Sequence, residues 1–283
     1  MESMKLTDVN AMGWTAEMFG GRAKRLFDGP DGSHLDYVYF EANAAWDRTD
    51  PGKGPHYHTY HEWAYCLSGH FVIYEFVHPR QVEGELVHFR EGTFMSRPAY
   101  SLHAGQGHPR AAFRQGPCVL LNYEEGPSEV LLAGPDNVPP DVVDWPDNFI
   151  RQSATSLEWE ADPDLDGVSM KWLREDPIGG FRAKLRYVPG GWEAPQDKRA
   201  GFHGRALRFA YVLAGGMALV VDGERREVRA DWFIEQPPGT VWAWDRGAAS
   251  GTGCMWLEVT YASGCALSGE KVEDPQPAGA RAG

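Results

Sequence analysis

The chain has 283 residues, a formal net charge of −13 and a pI near 5.2. That balance argues against a nucleic-acid-binding surface, which needs clustered positive charge. No apolar run is long enough to cross a membrane as a helix, and the opening MESMKLTDVNAMGW has no apolar core of the kind a secretory signal carries.

Taken in chain order, short aromatic and branched runs recur between Gly, Pro and Asp: LDYVYFEANAAW (35–46), WAYCLSGHFVIYEFV (63–77), CVLLNYE (118–124), FRAKLRYVP (181–189), LRFAYVLAGGMALVVDG (207–223) and CMWLEVTY (254–261). Their loose period-two alternation predicts half-buried strands of an all-β sandwich or barrel. Helical signals are few. Thr155 and Glu158 have capping-box spacing, but the apolar stripe that should follow is brief, so 146–158 reads as a connector. The four cysteines, Cys66, Cys118, Cys254 and Cys265, form no CxxC pair, which predicts free thiols in a reducing, cytoplasmic setting. The C-terminal stretch 266–283 has no periodic apolar pattern and is expected to be a flexible tail.

The sequence also repeats itself. AYCLSG (64–69) matches AYVLAG (210–215) at an offset of 146, and GTFMSRPAYSLH (92–103) matches DWFIEQPPGTVW (231–242) at 139. KRLFDGPDG (24–32) matches KWLREDPIG (171–179) at 147. Three weak matches in one order predict two β domains of the same fold, 1–145 and 146–265, bridged by the Pro- and Asp-rich stretch 132–160.

The chemistry concentrates in the first copy. His56 and His58 are two apart, so on a strand both rings face one side. Glu62 follows, Gly69 marks a turn, and Gly92, Pro98 and His103 come later. Three imidazoles and a carboxylate suit a divalent transition metal, and an octahedral ion held by four such groups keeps two open positions. Cys66 shares the parity of Glu62 and could point toward the same space; the plainer reading is a small buried hydrophobe. Trp46, Tyr65, Phe94, Ser96, Arg97, Tyr100, Ser101 and Arg110 are candidate pocket residues. Phe94 and Ser96 are expected to point inward, and His61 outward.

The pattern H-x-H-x(3)-E-x(6)-G followed by G-x(5)-P-x(4)-H resembles the two motifs of the cupin superfamily. The matching residues are His56, His58, Glu62 and Gly69, then Gly92, Pro98 and His103. Tyr100 and Gly107 depart from the second motif, outside the ligand set. The resemblance implies two jelly-roll barrels in tandem, a bicupin, with one metal ion held by His56, His58, Glu62 and His103 in the first. In the second copy, Phe202, Gly204, Arg208 and Trp242 stand at the matching positions, so that barrel is expected to be degenerate and metal-free. A metal-free ligand pocket there, with Arg208 as anion contact, is the alternative. Through DPIGG and YVPGG this half loosely resembles the ChrR-like cupins.

Such a centre accepts Fe(II), Mn(II), Ni(II), Co(II) or Zn(II). With Fe(II) preferred, the resemblance implies a dioxygenase acting on a small aromatic or diketone-like molecule, with Arg97 or Tyr100 orienting the substrate's oxygens. Two alternatives stand beside it: a non-redox isomerase, decarboxylase or lyase, and a metal- or ligand-sensing module without catalysis. The expected partner is a small-molecule substrate, with no nucleic acid and no membrane; a homodimer through edge strands is possible.

Overall fold

The computed structural model describes residues 3–18, 21–41, 54–76, 78, 80–81, 83–104, 117–134, 136–139, 150–175, 181–196, 202–203 and 206–261. The expected tail at 266–283, Cys265, Trp46 and Arg110 lie outside them. The chain divides into two compact units. One is Gly13–Ser153; the other joins Met1–Met12 to the chain from Ala154 onward. Both are all-β jelly rolls, with two short 3-10 turns among the described residues. No helix among these residues is long and apolar enough to cross a membrane.

The first unit is an eight-stranded antiparallel sheet and a two-stranded one. At the centre of the larger sheet, strand Glu62–Glu75 pairs with Thr93–Arg97 on one side and Cys118–Glu124 on the other. Cys118–Glu124 pairs in turn with His34–Phe40, and that strand with Gly21–Asp28. The small sheet pairs His56–Tyr57 with Leu131–Leu132.

The second unit repeats this plan. Strand Leu207–Val221 pairs with Trp232–Gln236 and with Val241–Tyr261, followed by Arg182–Val188 and Ser169–Glu175. The sequence repeats appear as equivalent registers. Tyr65 faces Phe94 as Tyr211 faces Phe233. A register shift falls between Cys66 and Ser68, and between Val212 and Ala214. Gly69 and Gly215 follow these bulges at φ 79 and φ 71. A Cβ on Gly69 would collide with the Pro117 carbonyl oxygen, and one on Gly215 with that of Gly253, so only glycine fits either place.

The boundaries expected from sequence need correction at both units. Strand Lys5–Asp8, expected in the first domain, pairs with Trp232–Gln236 of the second sheet. Strand Ile150–Ser153, expected in the second domain, pairs with Thr93–Arg97 of the first. Each is the outermost strand of its sheet, and period-two patterning says that a segment is a strand without saying which edge it covers.

Candidate metal centre

His56 and His103 are brought together by an isolated bridge in which each backbone amide donates to the other's carbonyl at 2.9 Å. His58 follows His56 at strand spacing, and its carbonyl accepts from the Tyr100 amide at 2.6 Å. One ring nitrogen from each of the three histidines lies within 4.8 Å of the others, and all three residues are buried.

Their protonation is fixed by the backbone. Nδ1 of His56 lies 3.1 Å from the Gly54 carbonyl, that of His58 2.7 Å from Glu129 and that of His103 2.9 Å from Ser101. A carbonyl only accepts, so each Nδ1 carries a proton, which leaves Nε2 as the nitrogen to face a metal. Burial, with His58 beside it, pushes His56 down to about 4. Burial, with Arg97 nearby, pushes His103 well below the ordinary histidine value. Neutral, oriented imidazoles are what a metal requires.

Glu62 lies beside the three histidines. Its Oε2 lies 3.5 Å from Nε2 of His103 and 3.9 Å from Nε2 of His58, yet this buried oxygen has no hydrogen-bond partner. Its Oε1 accepts from Nη1 of Arg97 at 3.0 Å. The Arg97 Nε donates to both oxygens of Glu75, at 3.0 and 3.1 Å, and its Nη2 also reaches Glu75. Burial opposes charge on all three, but the two carboxylates outweigh it on Arg97 and raise its pKa. Burial works against Glu62 as well, and Arg97 outweighs it to hold that carboxyl below its ordinary value. An orphaned, ionised oxygen beside three basic nitrogens fits a divalent cation, which would satisfy all four donors together.

The site opens onto a cavity with about 60 Å³ of free space. Its polar end carries the three histidines with Glu62, Arg97, Asn122 and Glu124; its apolar end includes Val38, Phe40, Phe71, Phe89, Met95 and Leu120. Cys66 also lines it, as its parity suggests, and burial pushes this thiol up to about 12. Cys66 and Cys254 are buried free thiols, and Cys118 is buried as well.

Other expected pocket residues fall elsewhere. On strand Thr93–Arg97 it is Thr93, Met95 and Arg97 that line the cavity, not Phe94 and Ser96. Arg97 stands opposite Glu62 in the register and so shares its face. Phe94 stacks on Trp63 at 6.0 Å on the other face. Ser96 lies there with His61, Oγ 2.8 Å from Nε2, which leaves His61 facing away from the three clustered histidines, the direction its parity predicts. Tyr65 lies opposite Phe94 and is likewise absent from the lining. Tyr100 is not among the described lining residues. It holds a positive-φ turn at φ 68 with its ring 6.2 Å from Tyr57.

Sequence reasoning missed Glu75, Asn122, Glu124 and Tyr60. The Tyr60 hydroxyl donates to Glu124 Oε2 at 3.0 Å and lies 3.2 Å from Nδ1 of His58. Asn122 donates to Glu124 Oε1 at 3.4 Å. Burial, with Glu62 nearby, raises the Glu124 carboxyl. The signal for Asn122 and Glu124 was available: they share the parity of Cys118 and Leu120, so they are polar residues on an inward face.

In the second unit Phe202 pairs with Trp242 where His56 meets His103. Gly204 lies outside the described residues. A tryptophan cluster fills the interior, with Trp244 5.5 Å from Trp192, 5.2 Å from Trp242 and 5.7 Å from Trp256. Beside it Arg186 is held by Asp162 at 2.6 Å and Glu258 at 2.9 Å. The only three-histidine cluster among the described residues is in the first unit.

No protein-family model matches this sequence, and neither does any curated protein. Solved structures do. A candidate dioxygenase from Nostoc punctiforme is similar with a TM-score of 0.63 at 14% identity, covering 97% of this chain and 88% of its own. A mutant oxalate decarboxylase from Bacillus subtilis gives 0.59 at 13%, covering 96% and 80%. A cupin 2 conserved barrel domain protein from Leptotrichia buccalis gives 0.54 at 13%, covering 92% and 98%. At these identities the likeness establishes the fold: two cupin-type barrels in tandem, the first with a histidine cluster able to coordinate a divalent metal.

Proposed function

We propose that the first unit is the active centre of a metal-dependent enzyme, in which His56, His58, Glu62 and His103 hold one divalent transition ion, Fe(II) by preference. The arrangement of protons carries this reading. Three carbonyls take the three Nδ1 protons, which leaves three basic Nε2 atoms beside the unpartnered Oε2 of Glu62. A bound ion would supply Lewis-acid stabilisation to an enolate or phenolate oxygen and, if redox-active, electrons to dioxygen. Arg97 is a positioning residue: it keeps Glu62 ionised and pointed, and both its faces are taken by carboxylates. Asn122 and Glu124 offer a substrate an amide and a carboxyl, and the apolar walls exclude water.

The reaction proposed is dioxygenation of a small aromatic or diketone-like compound. The aromatic cavity wall and the fold-level likeness to a candidate dioxygenase support it. A non-redox decarboxylase or lyase is the second reading, favoured by the likeness to oxalate decarboxylase. Elemental analysis of protein purified without added metal, followed by oxygen uptake with β-diketones and hydroxyaryl ketones, tests the first reading. Iron and oxygen consumption are expected. Full zinc occupancy with no oxygen consumed would refute the dioxygenase.

A further inference from the structure

The two barrels share the strand order and register around their central strands, yet only the first encloses a cavity among those described around its centre. Two inward positions account for the difference. In the first unit Leu120 stands opposite both Val38 and Cys66. At the equivalent place in the second unit, Trp256 stands opposite Arg186 and Val212. There the indole packs on Trp244, and the arginine is tied to Asp162 and Glu258. Among the described residues, these side chains fill that place. Leu120 and Val38 leave that volume open, directly below Ala64, which faces Met95 on one strand and Asn122 on the other.

The chamber is apolar and closed at its far end by aromatic rings. Phe71 lies 5.5 Å from Phe40 and 6.1 Å from Phe89. Arg97, Asn122 and Glu124 sit toward the histidines, while Thr93 lines the cavity at the other end of its strand. Asn122 is one strand position closer to Glu124 than Leu120 is, so a hydrogen-bonding group stands between the metal ligands and the hydrocarbon wall. The free space of about 60 Å³ is more than one water fills, so it admits a small hydrocarbon group.

We infer that this chamber is the pocket for the hydrocarbon body of the substrate. It selects a compact branched or single-ring group, with an oxygen donor at the end that faces the histidines. The inference rests on the metal reading above and adds the determinants of size: Leu120, Val38 and Ala64. The second barrel shows that this architecture accommodates tryptophan at the position of Leu120, so Leu120→Trp is a substitution the fold already tolerates in its own repeat.

The test uses the full chain loaded with Co(II), whose visible spectrum reports the metal independently of turnover. Acetate, 3-methylbutanoate and 2-naphthoate are titrated as probes. Each carbon buried is worth about fourfold in affinity, so 3-methylbutanoate is expected to bind at least about tenfold more tightly than acetate. The two-ring 2-naphthoate is expected to gain nothing over acetate. L120W should abolish the advantage of 3-methylbutanoate over acetate. A64V narrows the same chamber and serves if L120W does not fold. Equal affinity for acetate and 3-methylbutanoate in the wild type would overturn the inference, as would an advantage that survives both variants. Failure to bind one Co(II) per chain would instead overturn the metal reading, and this inference with it.

Discussion

Arg97 is the most informative residue to remove, because it answers for two buried carboxylates. Its guanidinium is 3% exposed and joins Glu75 to Glu62. Arg97→Met keeps most of the volume and leaves both carboxylates without a partner. Breaking a buried ion pair in this way costs about 3–5 kcal/mol. The loss depends on pH with a definite sign. Without Arg97, burial places the folded-state pKa values of Glu62 and Glu75 above the unfolded value of about 4.3. The folded variant then binds more protons than the unfolded chain, so its stability falls as pH rises. The deficit relative to wild type should be near 4 kcal/mol at about pH 8 and roughly half that at about pH 5. Hydrogen exchange of amides in strand Glu62–Glu75, measured on metal-free protein, reads this unit apart from the other. Arg97→Lys, with the charge but not the planar fork, should fall between. Adding Glu75→Gln to R97M should recover part of the loss. A deficit below about 1 kcal/mol, or one that does not change with pH, would refute the reasoning.

Further outcomes follow from the same structure. His103→Ala should reduce bound metal from one ion per chain to none by elemental analysis, and should remove the thermal stabilisation of about 2–3 kcal/mol expected at a hundredfold excess of metal over Kd. His56 is depressed to about 4, so its neutral form supports the fold above the unfolded value near 6.5. That support is lost as pH falls toward 4, and His56→Gln should flatten acid unfolding of the metal-free protein in this window. In the second unit Glu258 is held at about 2: burial opposes its charge, but Arg186 and Lys184 outweigh burial. Its contribution is present above the unfolded value near 4.3 and fades as pH falls toward 2. Glu258→Gln should cost about 3–5 kcal/mol at neutral pH by calorimetry while metal content stays unchanged. Gly69→Ala should cost more than about 1 kcal/mol, since it forces a side chain into a left-handed bulge against the Pro117 carbonyl.

Much of this was legible in the sequence. Period-two runs gave strands, and the three offsets gave two copies of one plan, down to the matching bulges after Cys66 and Val212. Strand geometry put His56 and His58 on one side, and the resemblance to the cupin motifs implied a ligand set of His56, His58, Glu62 and His103, of which the structure brings the three histidines together. Phe202 and Trp242 marked the second copy as lacking that set.

Tertiary structure decided what depends on partners distant in sequence. Edge pairing assigned Lys5–Asp8 and Ile150–Ser153 to sheets the patterning could not choose between. The cross-strand register turned Arg97 rather than Ser96 toward Glu62, and set Glu75, Asn122 and Glu124 around the same cavity. Parity fixes the two faces of a strand but not which of them is inside, and the size of a cavity depends on side chains contributed by several strands. The sequence therefore determined which donors the first barrel owns, and only the packing of Leu120 and Val38 against their neighbours determined the space beneath them, because volume is a property of the assembled sheets and not of any one segment.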